Sequence, residues 1–417
     1  MTKQKRGAAV APKVLEAQHR NETTRRFKAF IEELSSPEIA SLFTPRNYEL
    51  LYTYKRSGIK IHPAVDSEFR SSELKIMKNL FAAYLKNQTQ DLFPGLPNTN
   101  LHDALTLGVP LLVFLVDAYN KESPIADRLR AHFGPVTDVA DAYTSLGERI
   151  QFLMYVFGIM FSTYENGLIY ACNDENSKAS ILLNSVVVKR HLPEKRTFKV
   201  EGYGREAYRV AWFDLDEPLK KLRYIELSQA QLGIPNASPN VPLKVYIQKH
   251  ALQRITDRLD SIKLTTLQLP LFDSINEPIA HIVKPGKFLL EMRLNKVKVG
   301  YFVATVEGNA LLIRTFLFIT NNGTPEGHRL KEQTGLQMLD KKYLAIDKLS
   351  SFVAREVAEN AEIRAIFEKA DCGYLFDKEL QTYTAIEFSN RHTPAVKLPA
   401  YIANHNLEAE WAEMPTV

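Results

Sequence analysis

Cysteine is nearly missing from this chain: Cys172 and Cys372 are the only two among 417 residues. A secreted scaffold of this size normally carries more, so a reducing compartment and a cytoplasmic location are expected. Long hydrophobic runs are missing as well. The most apolar stretches, Val109 to Val116 and Phe152 to Phe161, fall short of the roughly 20 residues that span a bilayer. They read as buried helix segments, and no membrane partner is expected. No apolar segment follows the basic start Met1 to Arg6, so a secretory leader is not expected either. Gly and Pro, 18 and 21 residues, are not in excess, which argues against a fibrous or low-complexity chain.

Standard chemical signatures are equally scarce. The chain has no Walker phosphate loop, no Gly-x-Ser-x-Gly elbow and no His-Glu-x-x-His. Gly202-Tyr-Gly204 lacks the third glycine of a dinucleotide fingerprint and reads as a hairpin turn. The ten histidines do not pair at ligand spacing on one helix face, and neither cysteine has a cysteine nearby, so neither metal nor cofactor is expected. Asp214, Asp216 and Glu217 put three carboxylates in four positions, a set able to hold Mg²⁺ but read more simply as a solvated turn before Pro218.

Positive charge is abundant only at the start. Lys3, Lys5, Arg6, Lys13, Arg20, Arg25, Arg26 and Lys28 against Glu16 and Glu22 give residues 1–30 a charge of +6; the remaining 45 basic and 46 acidic residues give −1. Such an arm can hold RNA or another acidic partner, or simply fray in solvent. Residues 1–12 offer no apolar stripe, so their deletion is expected to leave the melting temperature unchanged. A large loss in thermal unfolding would contradict this.

What is present is mainly periodicity. Phe27, Phe30, Ile31 and Leu34 form an i, i+3, i+4, i+7 stripe, and Met77, Leu80, Phe81, Tyr84 and Leu85 repeat it. Apolar helices are expected around Leu105 to Tyr119 and Asp138 to Thr163, so the first part reads as a helical bundle able to bind a protein partner. Beyond Gly167 the period falls towards two. Three prolines between Gly233 and Pro242 mark a linker. A strand over Leu243 to Ile247 then feeds a helix over Gln248 to Ile262, while residues 263–280 show no clear pattern. Strands over Lys287 to Leu294, Val297 to Val306 and Ala310 to Thr320, tightly connected, predict an antiparallel meander with the third strand central. Gly323 with positive φ, Thr324 as N-cap and Pro325 at the first position predict the next helix. The class is therefore α+β. Its segments are a basic flexible arm over 1–12, a helical domain over 13–165, a β-rich region over 166–232, an α+β domain over 243–377 and an extended tail over 378–417.

One helix face carries chemistry. Ala251, Leu252, Ile255, Leu259 and Ile262 form its buried stripe, so His250, Arg254 and Arg258 share the opposite face beside Lys249. Guanidinium binds phosphate bidentately and histidine exchanges protons near neutral pH. Alternatively the face is merely solvated, with Asp257 and Asp260 pairing the arginines. Arg314 stands among apolar residues mid-strand, where a lone buried charge is costly. Either a carboxylate pairs it or its sheet face opens into a groove, with Arg293 and Lys298 on neighbouring strands.

Strand, His-Ala-x-x-Arg-x-x-x-Arg helix, meander and closing helix together resemble the RelE/ParE-type toxin fold and uncharacterised domains related to it, over about Leu243 to Leu336. The resemblance implies an RNA-binding or RNA-cleaving module of toxin–antitoxin type. It implies His250, Tyr301 and Arg314 as catalytic residues, and Lys249, Arg254, Arg258, Arg293 and Lys298 as nucleic-acid contacts. In that route a 2′-hydroxyl attacks its phosphate, a basic side chain stabilises the developing charge, and His250 or Tyr301 moves protons. The chain departs from those small, strongly basic toxins in its neutral body and large helical part. The other reading is a non-enzymatic interaction or structural protein. A basic groove joining Arg254, Arg258 and Arg314 favours the first, and scattered, paired arginines favour the second.

Overall fold

A computed structural model describes residues 12–121, 123–135, 139–173, 185–214, 216, 221–234, 242–381 and 392–404. The arm up to residue 11, most of the proline-rich linker, Glu217 and the end of the tail lie outside the described residues. The class is α+β. The chain divides into two compact units, residues 1–158 with 170–189, and residues 159–169 with 190–417.

In the first unit the helix Pro12–Leu34 buries the predicted stripe: Phe27, Phe30, Ile31 and Leu34 pack in one cluster with Leu51, Leu111 and Leu115. The helix Pro45–Tyr54 starts from a capping box in which Thr44 and Asn47 satisfy each other's backbone N–H groups. A short strand, Lys60–Pro63, pairs in parallel with residues 185–188. The apolar helix is longer than the sequence suggested. It runs over Leu101–Tyr119, 19 residues of which an 18-residue stretch has a mean hydropathy of 1.6, and passes through one π turn, Ala104–Gly108. Pro110 lies just beyond that turn; it has no N–H to give the ladder, and its ring crowds the carbonyl four residues back, which accounts for the widened turn. By length and composition this helix could cross a membrane, but 67% of the stretch is buried.

The second unit is built on a mixed sheet. Strands β1 (Lys195–Val200) and β2 (Tyr203–Arg209) form a hairpin turning on Glu201 and Gly202, at φ 52° and 84°. Strand β3 (Leu243–Gln248) leads into α1 (Lys249–Arg258) and α2 (Leu264–Asn276). Four strands follow, β4 (Ala280–Lys284), β5 (Lys287–Leu294), β6 (Val297–Glu307) and β7 (Ala310–Phe318), and then α3 (Pro325–Thr334). The order across the sheet is β4-β5-β6-β7-β3-β2-β1, and Glu226–Leu227 adds an eighth strand against the start of β3. Only β3 and β7 run parallel within it. The meander is where the sequence placed it. Asn295 and Lys296 both take positive φ, 44° and 71°, the two-residue turn that matches strand twist. Leu311, Leu312 and Ile313 are fully buried, as a central strand requires.

The patternless stretch 263–280 holds α2 and the approach to β4. Pro270 sits inside α2, and β4 is an exposed edge strand without alternation, so neither shows a clean period. At the head of α3, the Thr324 hydroxyl caps the Gly327 N–H and Pro325 occupies the first turn. Gly323 does not take the expected positive φ. The glycine this corner needs is Gly327, where a Cβ would lie 1.9 Å from the Asn321 carbonyl oxygen. The same corner is tied by Lys341, fully buried, whose ammonium donates to the Thr320 and Gly327 carbonyls, each at 2.8 Å, and to Asn322 Oδ1 at 2.5 Å. Burial, with no carboxylate partner among the described residues, pulls its pKa down to about 8.

Candidate functional site

Helix α1 is amphipathic as predicted: Ala251, Leu252 and Ile255 are buried, and the helix packs on β7. Its polar residues do not act as one face. His250 is exposed near the start, and Arg254 follows one turn later, half-buried. Arg258, a further turn on, is turned inward and paired with the Asp347 carboxylate, which is itself buried. Lys249 pairs with Glu165 at 3.0 Å. The two aspartates named as partners of the arginines are used elsewhere. Asp257 accepts from Gln253, and Asp260 accepts from the Ser350 backbone and hydroxyl at the start of the helix Leu349–Val353.

On the sheet, Arg314 occupies a bulge of β7: Val303 faces Thr315 and Ala304 faces Ile313, which leaves Arg314 without an opposite residue on β6. Its guanidinium reaches Glu201 in the β1–β2 turn at 2.6 Å. Arg293 and Lys298 are opposite each other in register but take different partners. Arg293 donates to the Glu277 carbonyl at 2.5 Å, at the edge of a cleft of about 320 Å³ shared with Asp273 and Lys296.

Lys298 and Tyr301 are the two sheet residues that the fold brings together. Lys298 Nζ lies 2.6 Å from Glu326, at the head of α3, and 3.5 Å from Glu291 on β5. It donates to the Tyr301 hydroxyl at 3.0 Å, and that hydroxyl donates to Glu326 at 3.0 Å. His281 of β4 closes the outer side: its Nε2 is 3.1 Å from Glu291, and its ring meets Tyr301 edge-on. Tyr301, Glu291 and Glu326 are buried. Burial alone would lower the Lys298 pKa, but the Glu326 carboxylate and the Tyr301 hydroxyl outweigh it and hold the ammonium above its ordinary value. Burial also pushes Tyr301 up to about 12. A neutral phenol and a locked ammonium fasten β6 to α3; neither is poised to exchange a proton at pH 7.

No family model, curated protein or solved structure matches the chain. Its chemistry rests on its own geometry. His250, Tyr301 and Arg314 sit in three separate settings, and among the described residues no hydrogen bond or ion pair joins them. Cys372 offers no nucleophile, since burial pushes its thiol up to about 12. No three His, Cys, Asp or Glu residues converge as metal ligands among the described residues.

Sequence reasoning missed Glu291, Glu326 and His281 around Lys298, and Arg205 and Gln248 near His250. Glu326 had a signal, directly after the predicted Thr324-Pro325 helix start, where a carboxylate is favoured. Glu291, His281 and Arg205 are brought in by strand register, and Gln248 lies two positions before His250. The first unit adds a half-open groove of about 350 Å³, floored by Phe43, Phe114 and Leu129, with Tyr54 donating to Asp117 at 2.6 Å beside it.

Proposed function

We propose that this protein acts by binding, as a non-enzymatic interaction protein, and that the toxin-like region serves as scaffold rather than nuclease. The observation that carries this reading is the closed Lys298–Tyr301–Glu326 network: the phenol nominated as a proton carrier is buried and already hydrogen-bonded on both sides. Scattered pairing of Arg258 with Asp347 and Arg314 with Glu201 supports it, since a groove for RNA needs those charges free. The apolar groove of the helical unit supports a protein partner there. One observation favours the RNA reading instead: Arg254 has no ion pair among the described residues, and Arg205 on β2 likewise has none.

The deciding experiment is incubation with labelled single-stranded RNA, followed on gels and by fluorescence anisotropy at low and high salt. No cleavage is expected, and any binding should show a salt slope of roughly 0.7 per phosphate contact, for one or two contacts only. Cleavage that disappears in Tyr301→Phe or His250→Ala would overturn the proposal.

A further inference from the structure

Most described arginines of the second unit are partnered: Arg196, Arg223, Arg293 and Arg364 donate to amide or carbonyl oxygens. Arg209, Arg258, Arg314, Arg329 and Arg355 each face a carboxylate. Among the described residues Arg205 and Arg254 have neither kind of partner; Arg205 lies over the Tyr203 ring, 5.7 Å from its centre. Both are brought to the start of α1. Gln248 at the end of β3 faces Ala207 of β2 in register, so Arg205, two residues along β2, projects from the same sheet face as the Gln248 side chain. Arg254 stands one turn above His250 on the helix.

The helix start itself is open. Gln248 is its N-cap yet makes no side-chain cap bond, and the first turn holds no acidic residue. Gln248 is only 5% exposed, and its Nε2 has no acceptor among the described residues. A buried amide donor without an acceptor is costly, as are cations gathered without a counter-ion. Burial, then Arg254 and Arg205, lower the His250 pKa; Asp257 opposes them without cancelling the effect. An uncapped helix N-terminus also presents N–H groups and the positive end of the dipole.

We infer that the start of α1 binds a terminal phosphate group, gripped by Arg205 and Arg254 and completed by the His250 ring and the Gln248 amide. A terminal phosphate fits better than a polyanion, because the basic surface does not continue. Lys249 on one side is matched by Glu165, Arg258 on the other by Asp347, and Asp257 stands on the next turn. The inference is independent of the interaction reading above, which concerns Tyr301 and its network.

Isothermal titration calorimetry of the full chain with inorganic phosphate, a nucleoside 5′-monophosphate and the unphosphorylated nucleoside tests it. Millimolar or tighter binding of at least one phosphate compound is expected, with none of the nucleoside. Binding of inorganic phosphate assigns the site to the phosphate alone; binding of the nucleotide only adds the nucleoside as a contact. Arg205→Gln with Arg254→Gln should weaken binding at least about ten-fold, whereas Lys249→Gln should not. Arg205 is exposed, so Arg205→Gln alone tests the site should the double variant fold poorly. Binding of neither phosphate compound at millimolar concentration, or binding unchanged by Arg205→Gln, would overturn it. So would affinity that grows with RNA length and ignores a terminal phosphate.

Discussion

Lys298→Met is expected to cost about 3–5 kcal/mol of stability at neutral pH, the penalty for leaving buried carboxylates without their cation. Glu326 is 3% exposed and Glu291 9%, and Lys298 is the ammonium that both face. Against a total of about 5–15 kcal/mol for a domain, that loss is a large fraction. The deficit should shrink as pH falls, because unpaired buried carboxylates neutralise at raised pKa. In the wild type the sign is the reverse. A lysine held above its unfolded value of about 10.4 contributes fully below that pH and is lost only as pH rises through the folded pKa. Thermal unfolding of both proteins at pH 5 and pH 8 checks this. Equal losses at the two pH values would show that the network is not electrostatic. Adding Glu326→Gln to Lys298→Met should recover part of the loss.

Ile313→Asp is expected to unfold the second unit outright. Ile313 is 0% exposed on the central strand, pairing with Ile247 on one side and Ala304 on the other. Removing a buried isoleucine costs about 2–5 kcal/mol, and seating a carboxylate there adds more than a domain normally holds in reserve. Loss of near-ultraviolet circular dichroism at room temperature is the expected result. A wild-type melting temperature would mean that β7 is not central and that the sheet order is mistaken.

Local periodicity decided a good deal here. The Phe27–Leu34 stripe, the α1 stripe, the hairpin turns at Gly202 and Asn295, and the Thr324-Pro325 helix start are each set by residues within a few positions of one another. Their signal survives because caps, turns and amphipathic faces are short-range. Legibility failed where a local rule is broken. Pro270 interrupts the helical pattern of α2, and β4 at the sheet edge buries nothing that would make it alternate.

The site was far less legible, for a different reason. Lys298 and Tyr301 could be named from neighbouring-strand position and the resemblance; three residues apart, they would face opposite ways on a regular strand, and a bulge at Val299 turns them together. Their partners Glu291, Glu326 and His281 arrive from β5, α3 and β4. Whether Arg314 is a bare cation or a paired one depends on Glu201, 113 positions away. Arg258 likewise depends on Asp347, 89 positions away. Charge in a sequence fixes only which side chains are able to bind an anion. Long-range strand pairing decides which of them are already neutralised by a carboxylate. Desolvation then decides which can still move a proton, and both effects exist only in the folded chain.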